Sequence, residues 1–157
     1  MTAQAVVPAC IALGANLGDA AQTVRRALQD LAHLPQTRVL RASSLYRSTP
    51  VDASGPDFIN AVAWVETSLE PLALLHALQT LEAQAGRERP YRHAPRTLDL
   101  DLIFHGDASL DTPELTLPHP RWRERAFVLW PLAEICPERV TPAMLDAVRH
   151  QHLERYV

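Results

Sequence analysis

A chain of 157 residues is the length of one ordinary domain, long enough to bury most of its apolar surface in a single core over 1–157. Its 47% hydrophobic and 21% charged residues fit a soluble globular protein, and no apolar run reaches the roughly 18 residues that cross a bilayer. A net charge of −3 speaks against a protein that works by coating nucleic acid, since such affinity comes from neutralising phosphates.

Met1 to Cys10 lacks the basic start, apolar stretch and small-residue cleavage site of a signal peptide, so the expected location is the cytoplasm, with no membrane partner and a monomer as the default. Ala9 to Leu13 reads as a short buried strand ending at Gly14, and Asp19 as the N-cap of an amphipathic helix running to about His33. Val39 to Tyr46 predicts a second strand, and Phe58 to Glu66, rich in aromatic and β-branched residues, a third. Leu69 to Ala85 places Leu74, Leu75, Leu78 and Leu81 on one helical stripe, with Gln79 and Glu82 together along its edge. Thr97 to Phe104 alternates as a strand, and helices are expected over Glu124 to Glu134 and Pro142 to Glu154. The order βαββαβ predicts an α+β fold: a ferredoxin-like core whose mainly antiparallel sheet carries helices on one face, with additional C-terminal helices. Cys10 and Cys136 stand apart with no CxxC spacing and read as buried small apolar residues.

The sharpest chemical feature is Thr97-Leu98-Asp99-Leu100-Asp101-Leu102. On a strand, Asp99 and Asp101 share one face while the leucines point to the other. Their Cα atoms lie roughly 6.5–7 Å apart, close enough for both carboxylates to converge on one cation or a close metal pair, and hard oxygens favour magnesium. Read alone, a D-x-D pair is also an ordinary half-exposed acidic strand. Here Arg87, Arg89, Arg92 and Arg96 precede it, and Arg121, Arg123 and Arg125 follow. Anion-binding groups beside cation-binding ones are what a magnesium-bound polyphosphate requires. No P-loop or kinase glycine-rich loop is present. His119, between Pro118 and Pro120, reads either as a structural histidine or as one on a rigid segment that can aim its ring; Phe58 and Phe127 read either as core aromatics or as the walls of a slot for a flat heterocycle.

Together these residues resemble the 6-hydroxymethyl-7,8-dihydropterin pyrophosphokinase family over essentially the whole chain. Arg96 to Asp101 resembles its metal-binding signature, Leu117 to Pro120 through Arg125 to Leu129 its second block, Ala12 to Asp19 its opening loop, and Ser44 to Pro50 its pterin-side segment. The resemblance implies transfer of the β,γ-diphosphate of ATP to the pterin hydroxymethyl group. It implies two Mg2+ ions on Asp99 and Asp101, with Arg87 and Arg96 assisting the transferring group. It places Gln79, Glu82, Arg89, Arg92, His93, Leu102, Thr116, His119 and Arg125 on the ATP side. Ser48, Thr49, Pro50, Val51, Phe58, Asn60 and Phe127 fall on the pterin side. His93 stands where many members have Trp, Ala94 where many have Gly, and Glu114 where some relatives are basic. An RNA-binding ferredoxin-like module lacks the RNP1 pattern of exposed stacking aromatics; a metal-dependent phosphohydrolase is the other reading, distinguished by cleaving ATP to ADP without a pterin.

Overall fold

The central strand β1, Val7–Ala15, is hydrogen-bonded on both edges, which is why seven of its residues in succession are buried. The computed structural model describes residues 5–50, 55–86 and 98–156. In chain order α1 (Ala20–Leu31), β2 (Thr37–Ala42), β3 (Tyr46–Ser48), β4 (Phe58–Thr67), α2 (Pro71–Gly86) and β5 (Asp99–His105) follow. Then come a small ribbon of β6 (Leu110–Asp111) and β7 (Thr116–Leu117), α3 (Ala126–Ile135), α4 (Pro142–Ala147) and β8 (Leu153–Arg155). The main sheet has six strands in the order β5-β1-β4-β3-β8, with β2 also on β4, and every pairing is antiparallel. This is the expected ferredoxin-like arrangement. No described helix is long and apolar enough to cross a membrane.

Alternation along the strands splits the core in two. Ala9, Ile11 and Leu13 of β1, Ala61, Ala63 and Val65 of β4, and Leu100 and Leu102 of β5 pack against Val24, Ala27 and Leu31 of α1 and Leu74 and Leu78 of α2. Cys10, Ala12, Val62, Ile103 and Phe104 pack on the opposite face against Val128, Leu129 and Leu132 of α3. Helices therefore cover both faces, where the sequence pattern predicts one; α3 is apolar nearly all round, so its own periodicity does not reveal that it closes a third layer. A bulge opposite Cys10 and Ile11 puts Ile103 and Phe104 in succession on the α3 side.

Local chemistry explains the boundaries. Asp19 caps α1 by accepting the Gln22 N–H at 3.1 Å. The strand expected over Val39 to Tyr46 is divided because Ser43 takes over the ladder: its N–H donates to the Val62 carbonyl, and its hydroxyl accepts the Val62 N–H, both at 2.9 Å. The helix expected to reach Glu154 ends at Ala147, and Leu153–Arg155 instead fill the free edge of β3. The other helix boundary shifts to Ala126–Ile135, preceded by a 3-10 turn at Trp122–Glu124. Cys10 and Cys136 are both buried free thiols, as the spacing predicts.

Glu134 joins α3 to this edge. It accepts from the Tyr46 hydroxyl at 2.6 Å, the Ser44 hydroxyl at 3.0 Å and the Ser44 N–H, with Arg155 at 3.4 Å. Burial alone raises its pKa, but the bonds from Tyr46 and Ser44, helped by Arg155, prevail and hold it below the usual glutamate value. The Tyr46 hydroxyl is pushed up to about 12 by burial and by its bond to Glu134. A depressed carboxylate stabilises the fold above its unfolded pKa, and the gain disappears as pH falls through the folded value. Glu134→Gln is therefore expected to cost about 1–2 kcal/mol at pH 7, with urea midpoints of the two proteins converging as the pH falls below the ordinary glutamate range. A gap that persists in acid rules out this charge-dependent contribution.

Candidate functional site

Register builds one row of side chains across the sheet. Gly14 lies opposite both Asn60 and Asp99, and Ala12 opposite Val62 and Asp101, so Phe58, Asn60, Gly14, Asp99 and Asp101 share the face that α3 covers farther along. Beyond the start of α3 this face opens into a cleft of about 510 Å³, lined by Ala12, Leu13, Gly14, Phe58, Asn60, Asp99, Asp101, Arg121, Glu124, Arg125 and Phe127. The pair Asp99 and Asp101 thus shares one strand face, as alternation predicts, and that face forms a wall of the cleft. Phe58 and Phe127 both line that cavity.

Asn60 is buried, and its Oδ1 accepts the hydroxyl proton of buried Ser48 at 2.6 Å. That bond sets the amide orientation and keeps Nδ2 as a donor toward the floor of the cleft, where a Cβ on Gly14 would come within 3.1 Å of it. Arg125 approaches Asp101 with Nη1 3.7 Å from Oδ2 and lies over the Phe127 ring at 5.5 Å. The Asp101 side chain keeps 46% of its exposure, so it remains available to a cation or polar ligand.

A second cleft, about 250 Å³, is bounded by Leu75, Leu100, Asp101, Leu102, Thr112, Pro113, Glu114, Leu115, Thr116, His119 and Pro120. Asp101 is a wall of both. The segment that carries His119 is fastened to β5 by the His119 N–H donating to the Ile103 carbonyl at 2.9 Å, just after the cis Leu117–Pro118 peptide. His119 Nδ1 accepts the Arg121 N–H at 3.1 Å. Burial, opposed by Asp101 and aided by Arg125 and Arg121, holds the His119 pKa below the usual imidazole value. Glu114 meets His76 of α2 across the rim at 3.3 Å.

The larger cleft collects Asp99, Asp101, Phe58, Asn60, Arg125 and Phe127; the smaller collects Asp101, Leu102, Thr116 and His119. Ser48 acts from behind Asn60, while Thr49 and Pro50 follow β3 and line neither cleft. Gln79 is exposed on α2, and Glu82 accepts the Leu100 N–H at 2.9 Å, anchoring the strand between the two aspartates. Val51, Arg87, Arg89, Arg92, His93 and Arg96 lie outside the described residues. The sequence reading misses Gly14 and Ala12 as the cleft floor and Glu124 as a wall; the strand register identifies the first two, and no local motif signals the third.

Two carboxylates two residues apart on one strand face, both bordering a cleft, fit magnesium, which keeps several waters and substrate oxygens and so needs few protein ligands. Among the described residues no cluster of three or more His, Cys, Asp or Glu side chains forms a closed protein cage for a metal.

Known proteins resemble this chain in sequence and in fold. The family model described as 7,8-dihydro-6-hydroxymethylpterin-pyrophosphokinase matches residues 10–137. The chain is 43% identical over 152 residues to a 2-amino-4-hydroxy-6-hydroxymethyldihydropteridine pyrophosphokinase of Pseudomonas aeruginosa, covering 92% of this chain and 94% of that one. It is 41% identical over 138 residues to the enzyme of the same name from Haemophilus influenzae, covering 87% and 86%. Among solved structures, wild-type Plasmodium falciparum HPPK-DHPS with pterin and p-hydroxybenzoate superposes with a TM-score of 0.70 at 14% identity, over 93% of this chain and 44% of that one, a likeness of fold.

Proposed function

The chain belongs to the 7,8-dihydro-6-hydroxymethylpterin-pyrophosphokinase family, and from that premise we propose that the two clefts meeting at Asp101 bring its two substrates together. The enzyme is an ATP-dependent diphosphotransferase of folate biosynthesis that moves the β,γ-diphosphate of ATP to 6-hydroxymethyl-7,8-dihydropterin, giving AMP and the pterin diphosphate. The observation that carries the site assignment is the shared wall: Asp101 borders both an aromatic cleft and a second, leucine-lined one.

The pterin ring occupies the larger cleft between Phe58 and Phe127, and Asn60, its amide oriented by Ser48, donates from Nδ2 to the polar edge of the ring. ATP lies in the smaller cleft with its base against Leu75, Leu102 and Leu115 and its phosphates toward Asp101, His119 and Arg125. Asp99 and Asp101 would hold magnesium, two ions by the family resemblance, which when bound would supply charge neutralisation on the triphosphate. Arg125, already beside Asp101, adds a planar cationic donor for phosphate oxygens. The pterin hydroxymethyl oxygen forms a bond to the β-phosphorus, the bond from that phosphorus to the α,β-bridging oxygen breaks, AMP leaves and the hydroxyl proton passes to solvent. The protein's share is orientation and electrostatics. In this reading residues 1–157 form one cytoplasmic, monomeric pyrophosphokinase domain with no nucleic-acid or membrane partner.

The test is product analysis after mixing the protein with ATP and 6-hydroxymethyl-7,8-dihydropterin, with and without magnesium. AMP and pterin diphosphate are expected only when all three are present. ADP formed from ATP without the pterin makes the protein a phosphohydrolase and overturns the proposal.

Gly14→Ala is a finer probe of the pterin cleft. Its methyl would press on Asn60 Nδ2 at 3.1 Å, and Asn60 is held by Ser48 and cannot easily yield. The expected result is a rise of about 10-fold in the pterin KM, equivalent to about 1.4 kcal/mol, with the ATP KM nearly unchanged. An unaltered pterin KM removes Asn60 as a pterin contact.

A further inference from the structure

Gln151, in the turn between α4 and β8, lines neither cleft, yet its side-chain amide makes two hydrogen bonds around one residue of the site. Its Oε1 accepts the Ala126 N–H at 2.9 Å, and its Nε2 donates to the Glu124 carbonyl at 2.7 Å. The residue between them is Arg125, which is the joint between the 3-10 turn Trp122–Glu124 and α3, in extended conformation with φ −119° and ψ 109°. The helix has no side-chain cap of its own at this position. The Ala126 N–H is one of the first-turn donors that an α-helix cannot satisfy internally, so Gln151 supplies the missing acceptor from 25 residues away.

We propose that Gln151 is a positioning residue that sets Arg125 against Asp101 and Phe127; this rests on the reading of the clefts as the ATP and pterin sites. Two tethers on either side of a single extended residue fix the direction in which its side chain leaves the backbone. The guanidinium then reaches Asp101 at 3.7 Å and covers the Phe127 ring at 5.5 Å. With carboxyl groups ionised at neutral pH, a primary amide is the side-chain group that presents a donor and an acceptor side by side in one plane. Asparagine is one methylene shorter, and a glutamate carboxylate at neutral pH keeps the acceptor but faces the Glu124 carbonyl with no proton to donate. The position is therefore specific for glutamine on chemical grounds.

The test is a double-mutant cycle read by calorimetric binding of magnesium α,β-methylene-ATP, a measurement that does not require turnover. Gln151→Ala is expected to weaken binding about 10-fold in the wild-type background and by less than about 2-fold in Arg125→Ala, because Arg125 is then no longer there to be aimed. Gln151→Glu is expected to weaken binding at neutral pH in the same background-dependent way, and it carries the comparison should Gln151→Ala fail to fold. Unchanged binding in the folded Gln151 variant, or equal weakening in both backgrounds, overturns the inference while leaving the ATP site standing. A wild-type protein that does not bind the nucleotide overturns the site reading and this inference with it.

Discussion

Asp101→Ala is expected to lower diphosphate transfer by on the order of 10³-fold, about 4 kcal/mol of transition-state stabilisation, while leaving the folded state almost unchanged. The magnitude follows from position. Asp101 borders both clefts, so in the proposed reading its loss removes a carboxylate from the place where the two substrates meet. It also frees Arg125 from its partner at 3.7 Å. The stability effect is small because this side chain is 46% exposed and its ion pair lies partly in solvent; such pairs contribute about 0–1 kcal/mol. The measurement is steady-state turnover alongside thermal unfolding. Activity near that of the wild type in a folded Asp101→Ala protein removes Asp101 from the required machinery.

Phe127→Ala is expected to raise the pterin KM by about 10- to 100-fold, the equivalent of the roughly 1–3 kcal/mol carried by stacking a flat heterocycle on an aromatic ring. The effect on the ATP KM should be several times smaller. Phe127 is half-buried, the second residue of α3, and its inner side packs against the cluster of Val128, Leu129 and Leu132. Some loss of stability accompanies the change, so Phe127→Leu serves as the control: it restores apolar bulk without the ring. A pterin KM that recovers in Phe127→Leu assigns the contribution to packing, whereas a KM that stays high assigns it to stacking. Wild-type pterin KM in both variants places the ring elsewhere.

Much of this site is legible from alternation and spacing. Asp99 and Asp101 must share a strand face, and the leucines between and beside them must enter the core, as they do against α1 and α2. Asp19 announces the start of α1 through cap chemistry that is local in sequence. What local pattern does not contain is pairing at a distance. Ser43 breaks a strand only because Val62, 19 residues away, offers both halves of a hydrogen-bonded exchange. Leu153 to Arg155 become a strand only because Tyr46 to Ser48 present a free edge. The β6–β7 ribbon depends on the Thr112 hydroxyl closing its turn, donating to the Leu115 carbonyl and accepting the Leu115 N–H.

The same distinction explains the residues that support the site. Glu82 is placed on the nucleotide side by the family resemblance, and in the fold its carboxylate also holds the Leu100 N–H between the two aspartates. Gly14 reads as a strand end, and only the register opposite Asn60 and Asp99 makes it the floor of a cleft. Gln151 carries no motif; its role arises from the return of the C-terminal segment toward Glu124 and Ala126. Residues that touch ligands are recognisable by chemistry, while residues that hold them in place are recognisable only by topology.

The most direct test is a crystal structure with 6-hydroxymethyl-7,8-dihydropterin, magnesium and α,β-methylene-ATP bound together. The predicted result is the pterin between Phe58 and Phe127 with its edge on Asn60, metal on Asp99 and Asp101, and nucleotide along Leu102, Thr116 and His119 with its β-phosphate facing the pterin hydroxymethyl group. A pterin outside the Phe58–Phe127 cleft, or a metal–triphosphate that does not touch Asp101, contradicts the account.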